Sequence, residues 1–525
     1  MENYNPKYHS LPFVVYFNTL LLLAIGLPFS EILLSFAQII LAANWLLEGN
    51  FKNKWDRLRN NKPLLWFFAI YGVHLLWMLT SQDIRFGLHD LRIKLPLLVL
   101  PLIIGTSTAL SKDEIYTLIR YFVISVVLAS IVNTIIYFQT SQSSITHISY
   151  FVSHIRFALM IVFSITAMLY FLSHTPRKKW VVILTVTGII WLLFYSFYFL
   201  RSLTGIGIFI ILMFILGTIY ALKIKTMMLR YFSIIGIITV FMLLSTFLTH
   251  SIGRFYHTDK IDYHTLPKLT KLGNPYRHNI NDKTIENGHY IWLFICEKEL
   301  RENWNKLSKI PYDSINPQSG FAPKYTLIRY LTSKGLPKDA DGISQLSPQD
   351  IKNIEHGISN YLFAQRLTPY TILYKLLWQI DVYRKNNECD GHTLTQRFEF
   401  WKTGIQIFSH NPWIGVGTGD IQDAFNLYYQ TNETKLSPEH RYRSHNQLLT
   451  FGITFGIVGL SIILFGLFYP VFHYKVYRHF LILSFLLIIL FSFLNEDTLE
   501  TQTGVTFFIF FYSIFIFPKP VLNNE

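Results

Sequence analysis

The run His440-Arg441-Tyr442-Arg443-Ser444-His445-Asn446 stands directly before an apolar stretch that begins near Gln447. An imidazole accepts a hydroxyl proton near neutral pH, and the adjacent cations favour its neutral form, so His445 is a candidate general base at the boundary between water and membrane. Arginines gather on the same side: Arg201 ends an apolar run, Arg156 lies about two turns inside another, and Arg92 with Lys94 opens a third. An arginine at membrane depth is costly and is usually paired or faces a polar cavity. Snorkelling to phospholipid headgroups explains Lys94 and serves for Arg92 as well. Arg156 and Arg201 suit phosphate oxygens, which a guanidinium fork meets better than an ammonium does. A substrate with a lipid tail and a diphosphate would place its anion at this depth, and Arg92, Arg156, Arg441 and Arg443 are candidates to bind it.

These residues need elements that hold them at a membrane face. Of 525 residues, 51% are hydrophobic and 15% charged, against roughly a quarter charged in a soluble domain, which excludes disorder and a purely soluble enzyme. Ser251 to His445 holds 24 Lys+Arg and 20 Asp+Glu, leaving 22 and 12 for the rest. The chain therefore reads as membrane helices (1–250), a water-facing insert (251–445) and further membrane helices (446–525). About twelve candidate spans lie near 11–29, 31–48, 63–80, 95–110, 115–138, 149–172, 180–200, 202–222, 231–250, 447–472, 479–496 and 502–518. A bilayer forces each to be helical, and the stretch from Trp180 to Leu222 must turn near Arg201-Ser202.

Basic residues in short loops set the orientation. Lys52, Lys54, Arg57, Arg59 and Lys62 fall on one side with Arg177, Lys178 and Lys179, with Lys223, Lys225 and Arg230, and with Lys475 and Arg478. Loop 139–148 has no positive charge, and the loop between the last two spans carries Glu496, Asp497 and Glu500. Both termini are then expected in the cytoplasm and the insert outside, with Arg85, Arg92 and Lys94 as the dissenting outer charges. Most of the net +14 is this loop bias, so nucleic acid is not an expected partner. The first apolar run reads as an uncleaved span, not a cleavable signal. Cys296 and Cys389 both lie in the insert, where a disulfide is permitted and two thiols equally so.

Within the insert, Ser347-Pro348-Gln349-Asp350 reads as a helix N-cap with proline at the first position, and Pro369 to Arg384 reads as another helix. Gln396 to His410 sets Phe398, Trp401, Ile405 and Phe408 on one stripe. That stripe packs on the insert's own core, or lies on the bilayer with Arg397 and Lys402 at headgroup level. Asn411-Pro412-Trp413-Ile414-Gly415-Val416-Gly417-Thr418-Gly419-Asp420 must be a turn; without a preceding strand its glycines do not make a nucleotide loop. Asp339-Ala340-Asp341 spells the acidic tripeptide of metal-dependent nucleotide-sugar transferases, in a turn-like context. Histidine and cysteine spacings suggest no metal site.

Arg397-Phe398-Glu399-Phe400-Trp401, the turn Asn411 to Gly417, and Ser444-His445-Asn446 before a span with Gly452, Gly456 and Gly459 together resemble the O-antigen ligase and polymerase superfamily. Leu200-Arg201-Ser202-Leu203-Thr204-Gly205 is similar to that family's Ser-Arg element, with leucine where serine is usual. The resemblance implies an all-α polytopic membrane protein of glycosyltransferase C-type architecture, with about twelve transmembrane helices and a large, mainly helical periplasmic loop. It implies inverting transfer of a glycan from undecaprenyl diphosphate at the periplasmic face of a bacterial inner membrane, without metal or other cofactor. The acceptor is lipid A core, with a growing glycan (polymerase) or a protein as alternatives; a lipid-linked-sugar flippase is the rival of another class. By carry-over Arg201 and Arg397 bind diphosphate and His445 activates the acceptor hydroxyl. The segment between Arg277 and Arg366, with Asn287-Gly288-His289-Tyr290 and Leu327 to Gly335, is larger than the common ligase loop and looks like a Bacteroidetes-type variant.

Overall fold

A computed structural model of the chain describes residues 10–140, 149–174, 178–317, 319–365 and 368–518. Arg177, the loop at 141–148 and Arg366 lie outside the described residues. The chain is mostly helical and divides into two compact units, Met1–Thr226 with Thr395–Glu525, and Met227–Leu394.

The first unit begins with α1 (Leu11–Gly26), α2 (Glu31–Leu47), α3 (Phe51–Arg59), α4 (Lys62–Leu76), α5 (Ile84–Lys94), α6 (Pro96–Thr106), α7 (Lys112–Thr140), α8 (His154–His174), α9 (Lys179–Phe194) and α10 (Leu203–Lys223). The second unit holds α11 (Met227–Tyr256), β1 (Ile285–Glu286), β2 (His289–Tyr290), α12 (Glu297–Leu307), α13 (Pro323–Ser333), α14 (Ala340–Ser344), α15 (Pro348–Glu355), α16 (Tyr361–Ala364) and α17 (Pro369–Asn386). From Thr395 the chain is again in the first unit, with most of α18 (Thr393–His410), α19 (Ile421–Thr431), α20 (Gln447–His473), α21 (Phe480–Phe493) and α22 (Gln502–Ile516).

Every apolar run of the sequence coincides with a helix, and the chain is a membrane protein. Among the described residues seven helices are long and apolar enough to cross a bilayer, or eight if the bent pair α2 and α3 is one span. Helices α1, α21 and α22 are apolar but shorter, and α6 has 11 residues with Pro101 inside it. Helix α22 is buried on every side from Thr503 to Ile516, as a helix apolar all round must be at the centre of a bundle. Phe511 stands 4.8 Å from both Phe122 and Phe163 and 5.7 Å from Phe485, ring centre to ring centre, which ties α7, α8 and α21 to it.

The glycine turn has a structural partner. Helix α20 breaks at Gly456, whose φ of 62° and ψ of −171° only glycine adopts readily. The break frees backbone groups that a membrane interior cannot leave bare. The turn supplies them: Val416 and Gly417 donate to the carbonyls of Ile453 and Thr454 at 2.9 Å, and Ile457 and Val458 donate to Pro412 and Trp413 at 2.8 and 3.2 Å. The approach is so close that a Cβ on Gly415 would sit 2.5 Å from the Thr454 carbonyl, and one on Gly456 2.3 Å from that of Trp413. A flippase for lipid-linked sugars calls for helices broken at mid-membrane; α20 is broken in this way, and the chain's own turn closes the break.

Of the stripe on α18, for which packing on the insert's core and a place on the bilayer were both open, two residues face outward while Trp401 and Phe408 are half-buried. Phe398 and Ile405 are 38% and 56% exposed. The buried face carries Gln396, Glu399, Phe400, Thr403, Gly404 and Ile407, because Gly404 lets Leu449 of α20 come close. This agrees with the interfacial alternative for the stripe, except that Arg397 turns inward and not to headgroup level.

In the second unit, Asn287 and Gly288 form the tip of the β1–β2 hairpin at φ of 50° and 92°. Trp304, Leu300, Leu327, Leu331 and Ile354 make its core. The Ser347 cap is present as a capping box with Asp350. Asp339 caps α14 by accepting from the Gly342 amide at 3.0 Å, and Asp341 pairs with Lys271 at 3.0 Å, so both carboxylates of the acidic tripeptide already have protein partners. Cys296 and Cys389 are buried thiols, not bridged to each other.

Candidate functional site

The ends of several helices meet where the sequence placed its cations. Helices α8, α10, α20 and α22 begin there, and the turn Leu494–Thr501 between α21 and α22 runs through the middle. Asn446 caps α20 by accepting from the Leu449 amide at 3.0 Å and donates to the Leu494 carbonyl at 2.9 Å. Ser444 bonds Thr450 at 2.7 Å. Between these two anchors His445 is held at φ 46°, in the left-handed region that costs a side-chain-bearing residue about 1–2 kcal/mol.

Arg201 shares this uncommon conformation, at φ 49°. It follows a π-helical turn, Tyr195–Leu200, and Ser202 then caps α10, which is the turn expected between the two runs. Strained non-glycine residues cluster at functional sites, and two of the residues singled out by the sequence for chemistry, His445 and Arg201, are among the seven described non-glycine residues with positive φ.

The imidazole of His445 makes no hydrogen bond among the described residues and lies beside Phe400, ring centres 5.6 Å apart. Burial, and then Arg397, Arg156 and Arg443, push it down to about 4, so the ring is neutral with its lone pair available.

The arginines are held by the turn. Glu496 binds Arg397 through Oε1 and Arg156, at 3.5 Å, through Oε2. Arg156 also donates to the Asp497 carbonyl at 2.8 Å, while its buried Nε has no partner among the described residues. Glu500 pairs with Lys94 at 2.9 Å and Arg443 at 3.4 Å, and accepts from Gln447 at 3.2 Å. Lys94 binds Asp90 one turn back on α5, and Thr450 donates to Asp497 at 2.7 Å. Burial raises Glu496 and Asp497 and lifts Asp90 to about 6. Burial works on Glu500 too, but Lys94 and Arg443 outweigh it and hold that carboxyl well below the usual range.

The structure thus brings Arg156, Arg397 and Arg443 to His445, with Lys94 joined to Arg443 through Glu500. Arg201 folds back on its own segment, donating from Nε to Tyr198 at 2.8 Å, and its helix reaches the turn through Asn495 and Thr204 at 3.1 Å. Arg441 lies over Tyr429 and donates to Leu436. Arg92 is exposed and bonds His89. Sequence reasoning used Glu496, Asp497 and Glu500 only as markers of topology and did not single out Asp90. The signal was there: three carboxylates in five residues, on the face that gathers arginines.

Such an arrangement can hold an anionic leaving group and take a proton from a hydroxyl. Residues 367–464 match the family model of the O-antigen ligase, a stretch that includes Arg397, the glycine turn and His445. This bears out the resemblance to the O-antigen ligase superfamily and supports glycan transfer of the ligase and polymerase type. No curated protein matches the chain.

Proposed function

We propose that this chain transfers a glycan from undecaprenyl diphosphate to an acceptor sugar at the periplasmic face of a bacterial inner membrane, with ligation of O-antigen to lipid A core as the reaction. The observation that carries the reading is the His445 imidazole, which stands 5.6 Å from the Phe400 ring, makes no hydrogen bond among the described residues and feels Arg397, Arg156 and Arg443. In the reaction the acceptor oxygen attacks the anomeric carbon and the bond to diphosphate breaks with its electron pair leaving on phosphate. The hydroxyl proton passes to His445. Arg397, Arg156 and Arg201 neutralise the charge that develops on the leaving group, and the configuration inverts.

An imidazole pushed down to about 4 is a weak base. A bound diphosphate would cancel the field of Arg397 and Arg156 and return the ring toward its ordinary value, so His445 becomes an effective base when the donor is in place. The flippase alternative has a broken helix in its favour but leaves His445 unused.

The test is transfer by purified protein from an undecaprenyl-diphosphate-linked glycan in EDTA. Transfer is expected to persist in EDTA and to vanish in His445→Ala with the fold retained. Full activity of that variant removes His445 as the base. A gene deletion read by lipopolysaccharide gel separates the acceptors: polymer lost from lipopolysaccharide with long lipid-linked chains accumulating marks a ligase, and single-repeat products mark a polymerase.

A further inference from the structure

Three of the cations expected to receive a diphosphate, Arg156, Arg397 and Arg443, already pair with carboxylates. Four carboxyl groups, Asp90, Glu496, Asp497 and Glu500, stand against four cations, Lys94, Arg156, Arg397 and Arg443, so the formal charges of this buried network balance. A diphosphate diester would bring two negative charges into it. Glu496 stands most directly in the way, because it alone bridges Arg156 and Arg397, and it is 2% exposed. Phosphate oxygens that take both guanidinium groups leave Glu496 buried without its counter-ions. A carboxylate in that position takes up a proton instead of staying charged.

We propose that donor binding is coupled to uptake of one proton by Glu496, which changes from the counter-ion of Arg156 and Arg397 into a neutral acid that donates a hydrogen bond to the diphosphate. This rests on the reading that these arginines receive the diphosphate. The proton comes from solvent to a carboxylate oxygen and returns when the diphosphate leaves.

Glu496 faces Arg156 from α8, Arg397 from α18 and Asp497 from its own turn; His154 of α8 and His445 before α20 feel the same two arginines, and Arg443 and Glu500 act on Asp497. Burial pushes Glu496 up, and Arg397 and then Arg156 oppose it; these are the two charges that phosphate would cancel. The other carboxylates keep their partners. Glu500 retains Lys94 and Gln447, Asp497 the Thr450 hydroxyl, and Asp90 the lysine on its own helix.

The experiment is calorimetric titration of the full chain in detergent with a farnesyl diphosphate ester of N-acetylglucosamine, whose two charges do not titrate near neutral pH. It is run at pH 7.5 in buffers of different ionisation enthalpy. The wild type is expected to take up about one proton per ligand bound, with Kd rising up to about tenfold per pH unit. Glu496→Gln, which imitates the neutral acid, is expected to bind with almost no proton uptake at pH 7.5 and a Kd nearly independent of pH above it, where His445 is neutral with and without ligand. Absence of uptake in the wild type overturns the proposal, as does uptake that persists in Glu496→Gln, which would point to His445. Undiminished binding in Arg397→Ala overturns the underlying reading and the proposal with it; loss of binding in that variant without proton linkage in the wild type overturns the proposal alone.

Discussion

His445 has its function and its cost in the same geometry. Its imidazole titrates near 6.5 in an unfolded chain and at about 4 in the fold. Between those values the unfolded chain binds a proton that the folded one refuses, so the protein loses stability as pH falls from 6.5 toward 4. His445→Ala lacks this loss. Relative to wild type the variant should gain up to about 2 kcal/mol on going from pH 8 to pH 5, seen as a larger Tm difference at the lower pH in detergent. A difference that does not change with pH would mean that neither burial nor the arginines lower the ring's affinity for a proton.

At the scale of elements, the meeting of α20 with the glycine turn makes the sharpest demand on sequence. Gly456→Ala would force a left-handed backbone and a Cβ 2.3 Å from the Trp413 carbonyl, a cost of about 3 kcal/mol or more. Gly207→Ala on α10 meets nothing within 4 Å and should be neutral or stabilising by about 0.5–1 kcal/mol. Thermal unfolding of the two variants checks the contrast, and equal Tm values would refute it. The helices themselves were legible because a bilayer allows long apolar runs no other form, and the turn at Arg201 followed from length. The break in α20 was not, since the groups that satisfy it lie some forty residues earlier and leave no periodic trace. Helix α18 stayed open between two readings for a related reason: in contact with membrane an outward face is apolar too, so a stripe does not say which side packs. The carboxylates that hold the arginines were visible as letters, but their pairing is a property of the fold.

On the scale of the whole molecule, the bundle is organised around α22, while α11 in the second unit buries only Ser251. Phe511→Ala removes a ring that touches three other helices and should cost about 3 kcal/mol. Phe232→Ala, at a position 63% exposed, should stay within about 0.5 kcal/mol. Similar losses from both would mean that α11 is packed as tightly as α22. The same arrangement has a consequence for synthesis. Arg156 and the Asp497 carbonyl it binds are 341 residues apart, and at about 5–20 residues per second a ribosome needs roughly 20–70 s to span that interval. Throughout it α8 carries a guanidinium whose anionic partners do not yet exist, at a cost of a few kcal/mol wherever it enters hydrocarbon. Insertion of α8 to its final depth therefore belongs late in biogenesis, when the hairpin of α21 and α22 arrives.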